Sequence, residues 1–288
     1  MGSFASVNGT IVPAEEARVS VLDTGFTFGD GVYETLRTYR GRPFHLDRHL
    51  ARLRGSASRI GIEVPLRDEV LAARLDALLE RAANPESYIR ILITRGVGDI
   101  TYRFDRVKGP TIVLVAREFE PPRDSAFSEG VPVVIASTRR NHPRALDPAI
   151  KSCNLLNNIL AVREAQAKGA AEAILLNDLG ELAEGASSNL FLVKSSTVLT
   201  PPLDAGILPG ITRAVVLELA PGLELTAREQ PLRGPELLAA DEAFVTSTVR
   251  EILPIRSVDG TPIGIGRPGP VTRRLLLALR EYAPSHCG

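Results

Sequence analysis

Between Val32 and Ala116 the apolar residues change period several times, and that pattern confines the chain to a mixture of helices and sheet. Residues 32–39 alternate and are rich in β-branched and aromatic types, which predicts a strand. Arg40-Gly41 then turns the chain towards Pro43-Phe44. Leu46, Leu50, Leu53, Ala57 and Ile60 recur at steps of four and three, one apolar face of a helix. A second amphipathic helix is expected over 66–83, on Leu71, Leu75, Leu78 and Leu79. Alternation returns over 87–94, with Ile89, Ile91 and Ile93 on one face and Tyr88 and Arg90 on the other. Residues 111–116 form a short apolar run that suits a buried strand.

The rest of the chain can be read in the same way. Residues 6–12 and 18–22 read as short strands around a turn. Gly25, Gly29 and Gly31 mark backbone that needs positive φ or close approach. After a loop over 95–106, residues 118–130 combine two prolines with acidic side chains and read as a linker. Strands are expected over 131–135, 173–177, 189–193 and 242–247, and helices over 154–168, 211–219 and 270–282. Residues 137–148 read as an irregular basic loop and 201–210 as another loop. Asp259-Gly260 is a hairpin signal.

Composition excludes several classes of function. The 34 basic residues balance 34 acidic ones, so no net charge draws the chain to nucleic acid or an anionic membrane. No apolar run reaches the length of a membrane span and no basic-then-apolar leader opens the sequence, so a cytoplasmic protein is expected. Cys153 and Cys287 imply no disulfide framework. No metal is expected, since only His45 and His49 have a helical metal spacing, without a third ligand. That pair reads as a solvated polar stripe.

Lysine is rare: of the 34 basic residues only four are lysines, Lys151 among them. Lys151 is flanked by Ser, Cys, Asn and Leu rather than by charges. Burial there would disfavour its ammonium form, and a neutral amine is what imine chemistry needs. Glu184 precedes Gly185 and a Ser-Ser-Asn run inside a strand-like segment, where a carboxylate wants a cationic partner. Arg52 sits at the edge of the first helix's apolar face, placed either to snorkel or to grip a phosphate.

Lys151 with Ser152 and Asn154, followed by Glu184-Gly185 and Ser188-Asn189-Leu190-Phe191, resembles the fold-type-IV pyridoxal-phosphate aminotransferases. That family holds branched-chain aminotransferases, D-amino-acid aminotransferases and 4-amino-4-deoxychorismate lyases. The resemblance covers nearly the whole chain. It implies pyridoxal 5'-phosphate as cofactor, Lys151 as the Schiff-base lysine and general base, and Glu184 as the acid facing the pyridine nitrogen. It implies a phosphate cup from Arg52, from Gly210-Ile211-Thr212 at a helix start, and from Ser247-Thr248, with Ser188 and Asn189 also at the cofactor. Tyr33, Arg37, Tyr88, Arg90 and Arg95 fall at substrate-pocket positions.

The implied fold is α/β (α+β), with a small N-terminal α/β domain over 1–118, a linker over 119–130, and a larger C-terminal pseudo-barrel domain over 131–288 that binds the cofactor. The implied activity is ping-pong transfer of an amino group from an apolar, branched-chain amino acid to a 2-oxo acid such as 2-oxoglutarate. Family members are homodimers, and at least a dimer is expected. Two departures keep a D-amino-acid aminotransferase open. Leu155 stands where branched-chain enzymes usually carry a tyrosine. Lys-Ser-Cys-Asn-Leu-Leu is closer to the D-amino-acid enzymes, yet Ile100 replaces the arginine of their carboxylate pair. A lyase fits less well, because it gives Tyr88-Ile89-Arg90 no role.

Overall fold

A computed structural model describes residues 2–288. The chain divides into two compact units. The first gathers residues up to Glu120, together with Ile150–Asn154 and Ala283–Gly288; the second holds Pro121–Ala149 and Leu155–Tyr282. Lys151 therefore belongs to the first unit, although the chain on either side of its short segment belongs to the second.

The first unit opens with a hairpin of β1 (Phe4–Val7) and β2 (Thr10–Pro13), turned by Asn8 and Gly9 at φ 51° and 97°. No strand forms over 18–22. Those residues are all exposed, Val21 at 70%, so their alternation has no sheet to face. A short helix, α1 (Thr24–Phe28), leads through Gly29 at φ 68° into β3 (Gly31–Tyr39). β4 (Arg42–Pro43), α2 (Leu46–Arg59), α3 (Asp68–Ala82), β5 (Ser87–Thr94) and β6 (Thr111–Glu118) complete the unit. The strands form one antiparallel sheet in the order β2-β1-β6-β5-β3-β4. The two helices cover one face with the leucines expected of them, burying Leu50, Leu53, Leu71, Leu75 and Leu78 against Leu36, Ile89, Ile91 and Ile93. Tyr88 and Arg90 lie on the other face, only partly covered.

In the second unit the expected linker carries a short helix, α4 (Asp124–Ser128), before β7 (Val131–Ile135). α5 (Leu156–Ala167) begins two residues later than expected. There follow β8 (Glu172–Leu176), β9 (Leu182–Gly185), β10 (Ser188–Lys194), β11 (Thr197–Thr200), α6 (Ile211–Leu219), β12 (Thr226–Glu229), α7 (Gly234–Leu238), β13 (Glu242–Ser247), β14 (Glu251–Val258), β15 (Thr261–Pro262) and α8 (Pro270–Tyr282). β10, β13, β14, β7, β8 and β9 pair in sequence, and β9 pairs back with β10, so six strands close into a barrel. Closure removes the open edges that a flat sheet would expose. The β14–β15 hairpin turns at Asp259 and Gly260, φ 47° and 83°, as the sequence signal implied.

Buried Glu242, at the start of β13, caps α8. Its carboxylate accepts from the backbone N–H groups of Val271 and Thr272 at 3.0 and 2.7 Å, and from the Thr272 hydroxyl at 2.6 Å. Charge-assisted bonds of this kind stabilise a helix start where the dipole favours an anion. Glu242→Ala should lower stability by about 1.5–3 kcal/mol in urea denaturation. Removing the exposed cap Glu236, which accepts from Arg233 N at 2.9 Å, should cost under about 1 kcal/mol.

Candidate active site

The period of two along β3 sends Tyr33 and Arg37 to the face away from the helices and Glu34 to the face beneath them. Residues 150–154 join the starting edge of this strand. Ser152 bridges Val32, the Tyr33 N–H donates to the Lys151 carbonyl at 2.9 Å, and the Cys153 N–H donates to the Gly31 carbonyl at 2.8 Å. The Lys151 N–H donates to the Ser56 hydroxyl at 3.1 Å. The amine of Lys151 is thereby delivered 4.6 Å from the Tyr33 ring centre, and the Arg90 guanidinium lies 4.0 Å from the same centre. Lys151 is half-buried rather than enclosed. Burial raises the pKa of the Tyr33 phenol, with Arg90 opposing it, and pushes the Cys153 thiol up to about 11, so that thiol is a poor nucleophile.

Not every expected pocket residue joins this group. Arg37 lies over the rings of Tyr39 and Phe119 at 4.1 and 3.9 Å, with Tyr88 opposite it in register and Arg117 over the Tyr88 ring. Arg95 is engaged in bracing the loop: it grips Asp30 at 2.6 and 3.0 Å and donates to the carbonyls of Ile60 and Gly61.

The expectation that His45 and His49 form a solvated stripe is overturned. His45 is 5% exposed and His49 is fully buried. His45 packs on the Phe44 and His286 rings, and His49 serves Glu34, a carboxylate buried on the core face of β3 that requires partners. Its two oxygens accept from Arg52 Nε and Nη2, each at 2.7 Å, and from His49 Nδ1 at 2.7 Å. Burial alone would raise the Glu34 pKa, but Arg52 and His49 outweigh it and hold the carboxyl well below the usual range. Burial lowers the pKa of His49 below its ordinary 6.5 against the pull of Glu34, so the ring is neutral and donates through Nδ1.

In the second unit Glu184, near the end of β9, has both oxygens engaged. Arg140 Nε donates to one at 2.8 Å; Asn189 Nδ2 and the Leu208 N–H donate to the other at 3.2 and 3.0 Å. Arg140 is the cationic partner that the sequence demanded without identifying it, and it also donates to the Asn157 side chain at 3.1 Å. Asn189 acts on Glu184 and on the Leu208 carbonyl. The Ser188 hydroxyl donates to buried Glu172 at 2.9 Å, which Arg250 also engages at 2.5 Å. Arg250 lies two residues beyond Thr248 and so ties that turn to β8.

The start of α6 suits a phosphate. No side chain among the described residues caps it, and the capping position is Gly210, where a Cβ would stand 1.8 Å from Asn189 Oδ1. The Thr212 hydroxyl is buried with no hydrogen-bond partner among the described residues. An uncapped helix start beside an orphaned hydroxyl is the donor set a phosphate uses. The residues present thus fit a phosphate-bearing cofactor.

Residues 31–258 match the family described as Amino-transferase class IV. The chain belongs to the class IV aminotransferases. It is an aminotransferase of fold type IV, a family that uses pyridoxal phosphate. It is 39% identical over 272 residues, 93% of its length and 92% of the relative's, to a Methanocaldococcus jannaschii protein whose naming as a branched-chain-amino-acid aminotransferase is itself provisional. It is 37% identical over 274 residues, 95% of each chain, to the D-alanine aminotransferase of Bacillus licheniformis. The solved branched-chain aminotransferase of the archaeon Thermoproteus uzoniensis with norvaline superimposes with a TM-score of 0.91 at 33% identity, covering 99% of this chain and 96% of that one.

Sequence reasoning missed Glu34, His49, Arg140, Glu172 and Arg250. Glu34 carried a usable signal, a carboxylate between Val32 and Leu36 on an apolar strand face. Arg140 carried none, because a loop arginine shows its partner only once the chain is folded. Arg140→Met should strand buried Glu184 and lower stability by about 3–5 kcal/mol in urea denaturation. His49 and Glu34 also set a pH dependence. Because folding lowers the pKa of His49, the unfolded chain binds the extra proton, so this contribution is complete above pH 6.5 and declines as the pH falls below it. Glu34 adds a second decline below its ordinary 4.5. His49→Asn, which keeps a donor but does not titrate, should flatten the fall in melting temperature between about pH 6.5 and 5.

Proposed function

We propose that this aminotransferase transfers the amino group of an L-branched-chain amino acid to a 2-oxo acid such as 2-oxoglutarate, in two half-reactions at one site. The observation that carries the reading is the shared ring of Tyr33. It holds the Lys151 amine on one contact and the Arg90 guanidinium on another, at 4.6 and 4.0 Å. A proton-moving amine and a cation able to grip a carboxylate thus both contact one aromatic ring. Leu92 shares this face, opposite Tyr33 in the register, which suits an apolar donor side chain.

Pyridoxal phosphate supplies an aldehyde and an electron-withdrawing ring when bound. Lys151 Nζ would hold that aldehyde until the donor's amine displaces it, and the freed amine would then move the proton of the donor's α-carbon. Glu184, paired with Arg140 at 2.8 Å, would be the acid that holds the proton of the ring nitrogen. By the family resemblance Arg52, the start of α6 with Thr212, and Ser247-Thr248 are the residues that would hold the phosphate. Arg90 orients the α-carboxylate, and Tyr33 walls the pocket. A dimer completes the reading: Ile100, Tyr102 and Phe104 are 70, 84 and 65% exposed on one loop, an apolar surface that a second copy would cover.

The D-alanine relative and Leu155 favour a second reading, a D-amino-acid aminotransferase. The two separate in single half-reactions of the cofactor-loaded protein, read by the visible absorption band. L-Leucine should bleach the band and D-alanine should not; the reverse result would replace the first reading with the second. Lys151→Ala should slow the half-reaction by at least about 100-fold, the low end of what a general base contributes.

A further inference from the structure

Glu34, His49 and Arg52 form a deeply buried ionic cluster in the first unit, and the chemistry assigned so far uses only Arg52. Glu34 and His49 have no exposed side-chain surface, and Arg52 has 12%. His49 and Arg52 stand three residues apart on α2 and so share the face that meets β3. Apolar residues of similar size at such a place would often be as stable or more so. The cluster is thus a candidate for work beyond stability, and its geometry bears on which. Glu34 takes Nε and Nη2 together, both at 2.7 Å, a two-point grip that fixes the plane of the guanidinium as well as its position. The grip is made by the edge bearing Nε and Nη2 and does not use Nη1. His49, donating through Nδ1 at 2.7 Å, fixes in turn the carboxylate that does the gripping.

We propose that Glu34 is the positioning residue for phosphate recognition: it sets the plane of Arg52 so that the opposite edge of the guanidinium meets the cofactor phosphate, and His49 holds Glu34 in that register. This rests on the reading of Arg52 as a phosphate-binding residue. A lysine at position 52 has no planar fork to be set, so Glu34 should matter far less beside it.

The test uses the apoprotein with two probes, pyridoxal phosphate and pyridoxal, which share the aldehyde and ring but differ in the phosphate. Glu34→Gln should weaken pyridoxal phosphate by roughly 10-fold or more, the size of effect seen when an outer-shell partner is lost, and pyridoxal by less than about 3-fold. In an Arg52→Lys background the same substitution should add little. Should Glu34→Gln fail to fold, His49→Leu should give a smaller loss of the same selectivity, and His49→Asn, whose amide nitrogen can stand in for Nδ1, should restore it. Equal weakening of both probes, or of neither, in the folded Glu34 and His49 variants would overturn the proposal. If Arg52→Lys alone weakens both probes equally, the assignment of Arg52 to the phosphate fails first, and the role of Glu34 falls with it.

Discussion

Strand β3 is occupied on both faces and along its starting edge, and the placement of Lys151, Tyr33 and Arg52 follows from that. Its pleat sends Val32, Glu34 and Leu36 beneath α2 while Tyr33 and Arg37 face the other way. Its starting edge accepts Ser152 as a bridge partner, and this fixes where the Lys151 amine can reach. A slip of one residue in the strand would put Tyr33 into the helical core and Glu34 on the opposite face. The same backbone register thus positions the amine, the aromatic wall and the anchor of Arg52.

The acid is built on the opposite principle. Glu184 is not sheltered by apolar packing but saturated with donors: a guanidinium, an amide and a backbone N–H. A carboxylate so provided for can stay ionised while buried, as the role proposed for Glu184 requires. Glu172 repeats the device beside it, with Arg250 and two serine hydroxyls, and there the effect is to brace the turns that carry Ser188 and Ser247. Each of these acids has its own arginine.

Much of this was legible in the sequence wherever a periodic pattern was long enough to outvote local exceptions. α2, α3, β5 and α8 follow directly from the spacing of their apolar residues. β14 was hidden because Pro254 and Arg256 interrupt its apolar run, and β12 because four residues, mostly polar, carry no pattern. Residues 18–22 alternated without forming a strand, since alternation stabilises only where a sheet and a core accept it. At the candidate site, Lys151 and Glu184 could be singled out as expectations from their settings and their motif. Their partners could not, because Arg140 and Arg250 meet their acids only through the folded chain.

The central claim is that Lys151, among four lysines, is the amine joined to the cofactor. Borohydride reduction of the cofactor-loaded protein makes that bond permanent, and peptide mass mapping then locates it. The account predicts the added mass on the single peptide carrying Lys151. Added mass on peptides carrying Lys108, Lys168 or Lys194, or none at all, would contradict it.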